Sequence, residues 1–149
     1  MVYGEYKHAL DAKNRVSIPS KMRDVLGVPF MIIRDLRKRC LRVYSIEEFN
    51  KYIEKLVTTL PGKMGDEAKF ITYRDAVQAT PDSLGRVLLP NSQLEYAQLP
   101  VKAEEGAARP VIIVGCGSFA EIWCEENYEA RVNGVDMEAL LRAMDELGL

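Results

Sequence analysis

Six side chains that carry or can take a positive charge fall within seventeen residues near the start of the chain: Lys7, His8, Lys13, Arg15, Lys21 and Arg23. Lysine and arginine make charge-assisted hydrogen bonds to phosphate, and an arginine fork can also grip guanine bidentately. The chemistry on offer is the binding of a polyanion rather than the making of bonds. Candidates for catalysis are scarce. His8 is the only histidine, and no nucleophile motif stands near it. Glu104-Glu105 and Glu125-Glu126 read as solvated surface or loop acids. Cys40, Cys116 and Cys124 are an odd number without C-x-x-C spacing, which supports neither a disulfide framework nor a zinc site. Reduced, mostly buried thiols are expected, with no catalytic residue, metal or cofactor.

The cationic cluster surrounds the phrase "DAKNRVSIP", Asp11 to Pro19, which recurs as "DSLGRVLLP", Asp82 to Pro90. Each copy reads as short strand, tight turn, short strand. Asn14 and Gly85 share the turn position, and glycine and asparagine are the residues that best tolerate a left-handed backbone. Asp11 and Asp82 open the turn, where a carboxylate accepts backbone N–H groups. Arg15 and Arg86 leave it. Pro19 and Pro90 end the second strand, because proline cannot donate to a ladder. Asp11–Arg15 and Asp82–Arg86 can each be structural pairs that hold the turn. That reading suits Arg86; Arg15, among further cations, reads as a DNA contact.

The elements that follow each copy also run in parallel. "SKMRDVLG" predicts a short helix capped by Ser20 and ended by Gly27. "PFMIIRD" and "LRVYS" predict strands joined by the charged turn "RKRC". The spacing of Ser45 and Glu48 predicts a helix start, with Phe49, Tyr52, Ile53, Leu56 and Leu60 as its apolar stripe before Pro61-Gly62. After the second phrase, "NSQLEYAQLP" stands where "SKMRDVLGVP" stood, "VKAEEGAAR" is an inserted surface loop, "PVIIVG" matches "PFMIIR", and "AEIWCEENY" matches "LRVYSIEEF". The repeat thus spans about fifty residues: 5–47 and 76–127, with a helical connection over 48–75 and a C-terminal helix over 133–149. Met137, Leu140, Leu141, Met144 and Leu147 give that last helix an apolar stripe to pack on the body or on a neighbouring subunit. Two copies suggest pairing about an internal twofold.

These segments, "GEYKHALDAKNRVSIPSKMRDVL" and "DSLGRVLLP … VIIVGCGSFAEIW", resemble the MraZ family of bacterial transcriptional regulators, which carry two tandem SpoVT/AbrB-type repeats. The resemblance covers residues 3 to about 130. It implies a mainly β, α+β fold: a swapped-hairpin AbrB-like β-barrel made by the two repeats, with flanking helices. It implies a ring-like homo-oligomer that binds direct repeats in double-stranded promoter DNA upstream of the cell-division and cell-wall gene cluster. The DNA-contacting positions carried over are Lys13 and Arg15, with His8, Lys21 and Arg23 at places that are basic in similar proteins; Lys7 joins them by proximity. Asn14 stands where the family usually has glycine.

At 48% hydrophobic and 28% charged residues, the 149-residue chain has the composition of a globular protein. Its longest apolar runs are far shorter than the ~20 residues of a membrane span. A cytoplasmic, nucleoid-associated protein is expected. The net charge is −2, but residues 1–63 hold thirteen Lys/Arg against seven Asp/Glu, and residues 64–149 hold seven against fifteen. A cationic face from the first half is one reading; attraction between the halves or between subunits is the other. Two rival functions remain. "VIIVGCGSF" has the G-x-G of a methyltransferase-like nucleotide motif, although "SFAEIW" after it reads as a strand. An AbrB-type barrel also suits an antitoxin-like protein-interaction module, which the packing of residues 133–149 tests.

Overall fold

The computed structural model describes residues 1–149. In chain order the elements are β1 (Glu5–Ala9), β2 (Arg15–Ser17), α1 (Ser20–Leu26), β3 (Phe30–Arg34), β4 (Leu41–Ser45), α2 (Ile46–Thr59), α3 (Met64–Tyr73), β5 (Val77–Ala79), β6 (Arg86–Leu88), α4 (Asn91–Tyr96), β7 (Pro110–Gly115), β8 (Ala120–Cys124), α5 (Glu125–Asn133) and α6 (Met137–Glu146). The fold is α+β, as expected.

The strands form one six-stranded antiparallel sheet, ordered β1-β7-β8-β4-β3-β5, and a separate pair, β2-β6. The two halves exchange strands. β1 pairs with β7 from Glu5↔Val114 to Ala9↔Pro110, and β5 returns the exchange on β3 from Phe30↔Ala79 to Ile32↔Val77. β4 and β8 meet in the middle through Arg42↔Glu121. Swapping every strand for its counterpart in the other half only reverses the order, so the pairing has an internal twofold. The sheet is open. β1 and β5 are its edges, and β2 and β6 bond only each other. Pro19 and Pro90 offer no N–H with which either three-residue strand could extend a ladder.

The main core fills the space between the inner face of the large sheet and the layer of β2, β6, α1 and α4. Phe30, Ile32, Leu41, Val43, Val111, Ile113 and Ile122 meet Val16, Val87, Met22, Leu26 and Leu94 there. Each such fully buried aliphatic side chain contributes roughly 1.5–3 kcal/mol. On the outer face, Ile33 and Tyr44 pack against Phe49 and Ile53 of α2, while Ile112 and Trp123 pack against Tyr128 of α5. β8 is buried along its whole length.

Three helical expectations change. Pro19, not Ser20, holds the N-cap position of α1; its carbonyl accepts from the Met22 and Arg23 N–H groups, and Ser20 is the first helical residue. Pro90 does the same for α4, through Gln93 and Leu94. The expected start of α2 holds: Ser45 Oγ accepts from the Glu48 N–H at 3.1 Å. The helix expected over 133–149 is shorter, Met137–Glu146, and a further helix that was not expected, Glu125–Asn133, precedes it. α5 continues directly from β8, the chain breaks at Gly134, and α6 begins after Asp136, whose side chain accepts from the Ala139 N–H at 3.0 Å. α5 escaped the sequence because none of its residues is buried. The apolar stripe of α6 does not pack on the body either. Met137, Leu140, Leu141 and Leu147 are all exposed.

The segment Gly115-Cys116-Gly117 joins β7 to β8 as a hairpin turn, with the Cys116 N–H bonded to Phe119 O at 2.8 Å. A nucleotide motif needs a strand, a turn and then a helix; this one continues as a strand. Cys40, Cys116 and Cys124 are free thiols, and Cys116 is exposed. No helix is long and apolar enough to cross a membrane.

Candidate nucleic-acid interface

Both turns are built by the same clasp. Asp11 Oδ1 accepts from the N–H groups of Lys13 and Arg15, each at 2.9 Å, while Oδ2 accepts from Arg15 Nε at 2.8 Å. Asp82 Oδ1 accepts from Leu84 and Arg86 at 3.0 and 2.9 Å, and its Oδ2 accepts from Arg86 Nε at 2.9 Å. The antiparallel β2–β6 pair then sets the clasps side by side. Arg15 Nη1 lies 3.8 Å from Asp82, and Arg86 Nη1 lies 3.6 Å from Asp11. Two aspartates and two arginines close a square across the twofold. At Asp11, partial burial works against the charged form, but the Arg15 N–H and guanidinium and the Lys13 N–H outweigh it and hold the carboxyl below its ordinary range. At Asp82 the Arg86 N–H leads the same downward shift.

The turn positions are left-handed, with φ of 59° at Asn14 and 78° at Gly85. Each has its own reason for its residue type. Asn14 Oδ1 accepts from Nη1 of the buried Arg109 at 2.6 Å, and the same guanidinium also donates to the carbonyls of Pro100 and Asp11. Glycine could not provide that acceptor. Gly85 lies under the Arg23 guanidinium, where an added Cβ would come within 2.6 Å of Cζ. Asparagine would not fit there.

The structure sorts the predicted cations. Lys13, at the tip of the first turn, and Lys21, on α1, are exposed and enter no ion pair. Arg15 is half-buried in the square. Arg23 is drawn inward, its Nε donating to Ile18 O at 2.9 Å while its plane covers Gly85. His8 is half-buried on the inner side of β1. Lys7, its neighbour, points to the other side of the sheet and pairs with Glu125 at 2.5 Å, which raises its pKa. It does not join the others.

The sequence reading missed Arg109, which looked like the last residue of a surface loop. It also missed a network on the outer face. Asp35 Oδ1 accepts from the Arg37 and Lys38 N–H groups, and its Oδ2 accepts from Arg42 Nε at 2.7 Å. Lys38 Nζ donates to Glu121 at 2.8 Å, and Trp123 Nε1 donates to the same carboxylate. The signal was present: "DLRKRC" opens on an aspartate before a turn, as both repeated phrases do. Asp35, Cys40 and Glu121 approach one another closely enough to suggest a metal site. Lys38 and Arg42 already neutralise both carboxylates, so the cluster is an ion-pair network.

Comparison with known proteins gives a consistent result. A family described as "MraZ protein, putative antitoxin-like" matches residues 1–68. A protein of Clostridium acetobutylicum named transcriptional regulator MraZ is 36% identical over the whole of both chains. Proteins of the same name from Caldicellulosiruptor saccharolyticus and Carboxydothermus hydrogenoformans are 35% and 38% identical, the first over the whole of both chains and the second over 90% of this chain and 88% of its own.

Proposed function

The chain belongs to the MraZ family and is related to named transcriptional regulators, and from that premise we propose that it binds promoter DNA through its first turn. One observation carries this reading. The clasp at Asp11 fixes the turn rigidly and leaves Lys13 at its tip exposed and unpaired, with Lys21 the second free cation. The equivalent tip residue of the second turn is Leu84, which is exposed and neutral. Only one of two matching turns is equipped for phosphate. Arg15, His8 and Arg23 support that surface from behind.

In this reading residues 5–47 and 76–127 are two SpoVT/AbrB-type units whose exchanged strands complete each other as a swapped-hairpin barrel. The protein works as a homo-oligomeric ring on direct repeats upstream of the cell-division and cell-wall gene cluster, in the cytoplasm and at the nucleoid. One subunit offers few phosphate contacts. Several on one assembly engage tandem sites together, and linkage multiplies their affinity. The test is an electrophoretic shift on DNA from upstream of the protein's own gene, with Lys13→Ala and Lys21→Ala beside the parent. Loss of the shift with an unchanged oligomer is expected; an undiminished shift with both variants would place the DNA on another face.

A second reading, an antitoxin-like interaction module, is favoured by the uncovered stripe of α6, which has no place on the chain's own body. Copurification of a distinct protein that needs α6 and no effect of α6 on self-association would support it.

A further inference from the structure

Two features of the outer face are unaccounted for: a cleft beside α2 and the bare stripe of α6. The cleft, of about 560 Å³, is floored by Tyr44, Tyr52, Leu56 and Phe119. Tyr44 and Tyr52 stack with ring centroids 5.4 Å apart. Four cations rim it. Arg42 is committed to Asp35, and Lys51 to Glu47 and Glu48. Arg37 and Lys55 are exposed and enter no ion pair. The chain from 34 to 63 carries eight Lys/Arg against four Asp/Glu.

α6 has the opposite character. Met137, Leu140, Leu141 and Met144 follow the i, i+3, i+4, i+7 spacing with which an amphipathic helix fills a groove. Its other positions are Glu138, Ala139, Arg142, Ala143, Asp145 and Glu146, a net charge of −2, with Arg142 paired to Glu138 at 3.0 Å and Asp145 and Glu146 in no ion pair. Residues 125–149 hold seven Asp/Glu against two arginines. An acidic polar face repels an anionic lipid surface, which sets a membrane aside as the occupant. The ten residues of α6 span ~15 Å, shorter than the ~21 Å of α2 along which the cleft runs. The chain's own cleft is badly placed for it: Phe119 precedes β8 and Glu125 follows, so the arm departs from the far end of a five-residue strand.

We propose that α6 of one copy docks into the cleft of a second copy, apolar stripe on aromatic floor and acidic edges on Arg37 and Lys55. The proposal rests on the homo-oligomer reading above and gives it a contact. Arm-into-cleft is heterologous, each copy using one surface to give and another to receive, the kind of contact that closes into a ring when the rotation allows. It lies on the side of the large sheet away from β2 and β6, so assembly leaves the Lys13 turns free.

The test uses sedimentation of the full chain and two double variants, Leu140→Asp with Leu141→Asp in the arm and Arg37→Glu with Lys55→Glu in the cleft. All four residues are exposed, and unchanged circular dichroism confirms the fold. The parent is expected to assemble and each variant alone to sediment as a single chain. An equimolar mixture of the two variants should recover a two-chain complex, because one supplies an intact arm and the other an intact cleft. A single-chain parent would overturn this contact and the ring together. Variants that assemble like the parent would overturn the contact alone, leave the ring standing on other surfaces and free α6 for a different partner. Single-chain variants that do not complement each other would overturn the head-to-tail pairing.

Discussion

Arg15 lies 3.8 Å from Asp82, a carboxylate that belongs to the other turn. Together with its own clasp on Asp11 at 2.8 Å, this makes Arg15 a structural residue as much as a DNA-facing one. Read from the sequence, Arg15 is a DNA contact and the structural-pair role falls to Arg86. The geometry corrects that. Arg15→Ala and Arg86→Ala are each expected to lower the melting temperature by a few degrees, and Arg15→Ala to weaken DNA binding as well. Lys13→Ala separates the two effects. It should leave the melting temperature unchanged while the slope of log affinity against log salt falls by about 1 for each Lys13 that touches phosphate. Melting curves and salt-dependent binding measure both.

The clasps also set an acid limit. Asp11 and Asp82 are held below their ordinary carboxyl range in the fold, so their contribution is complete above the unfolded value, near 3.8, and is lost as pH falls through the lower folded values. Asp35, also held low by the Arg37 and Lys38 N–H groups and Arg42 against its burial, acts in the same direction. Stability should therefore be flat from neutrality to about pH 5 and drop steeply below 4. In the Asp11→Asn, Asp82→Asn double variant, urea midpoints between pH 3 and 6 should vary less with pH than in the parent.

Gly85 and Asn14 occupy matching positions and should not be interchangeable. Gly85→Ala puts a Cβ into a left-handed site, about 1–2 kcal/mol, and drives it into Arg23. Adding Arg23→Ala should recover the steric part and leave the backbone part. Asn14→Gly keeps the backbone and loses only an acceptor for Arg109. Urea unfolding should rank Gly85→Ala well below Asn14→Gly in stability.

Arg109→Ala should be among the costlier single changes. The residue is 4% exposed and ties together two separate segments, the turn at Asp11 and Asn14 and the stretch Pro100-Val101. Removing it leaves several part-buried acceptors unpaired, at about 2–3 kcal/mol in total. Arg109→Lys should recover only part of this, since an ammonium lacks the planar fork that reaches several carbonyls at once. Denaturant titration of both variants decides it.

How much of this the residues announced depends on the range of the interaction. The turns were legible because everything that makes them is local: an aspartate two and four positions before the N–H groups it accepts, and a residue that tolerates positive φ between them. α2 was legible by its stripe and its Ser45 cap. α5 was not, because it buries no residue fully and rests on the sheet through Tyr128, too little for a periodicity to read. The roles of Arg23 and Arg109 were hidden for a different reason. Gly85 is needed because Arg23 lies on it, and Asn14 because Arg109 reaches it, and neither partner is near in the chain. Lys7 and His8 looked like one patch, yet strand alternation sends them to opposite faces.

The strand exchange has a consequence during synthesis. β1 waits for β7, and β3, though paired with β4, waits for β5 on its other edge, so a nascent first half emerges from the ribosome with both of these exchanged strands still unmade. Until residue 115 is out, its open edges match those of any other unfinished copy on the same message. Crowded polysomes would thus favour entangled dimers, and slower initiation should raise the yield of protein in which each chain has closed on itself.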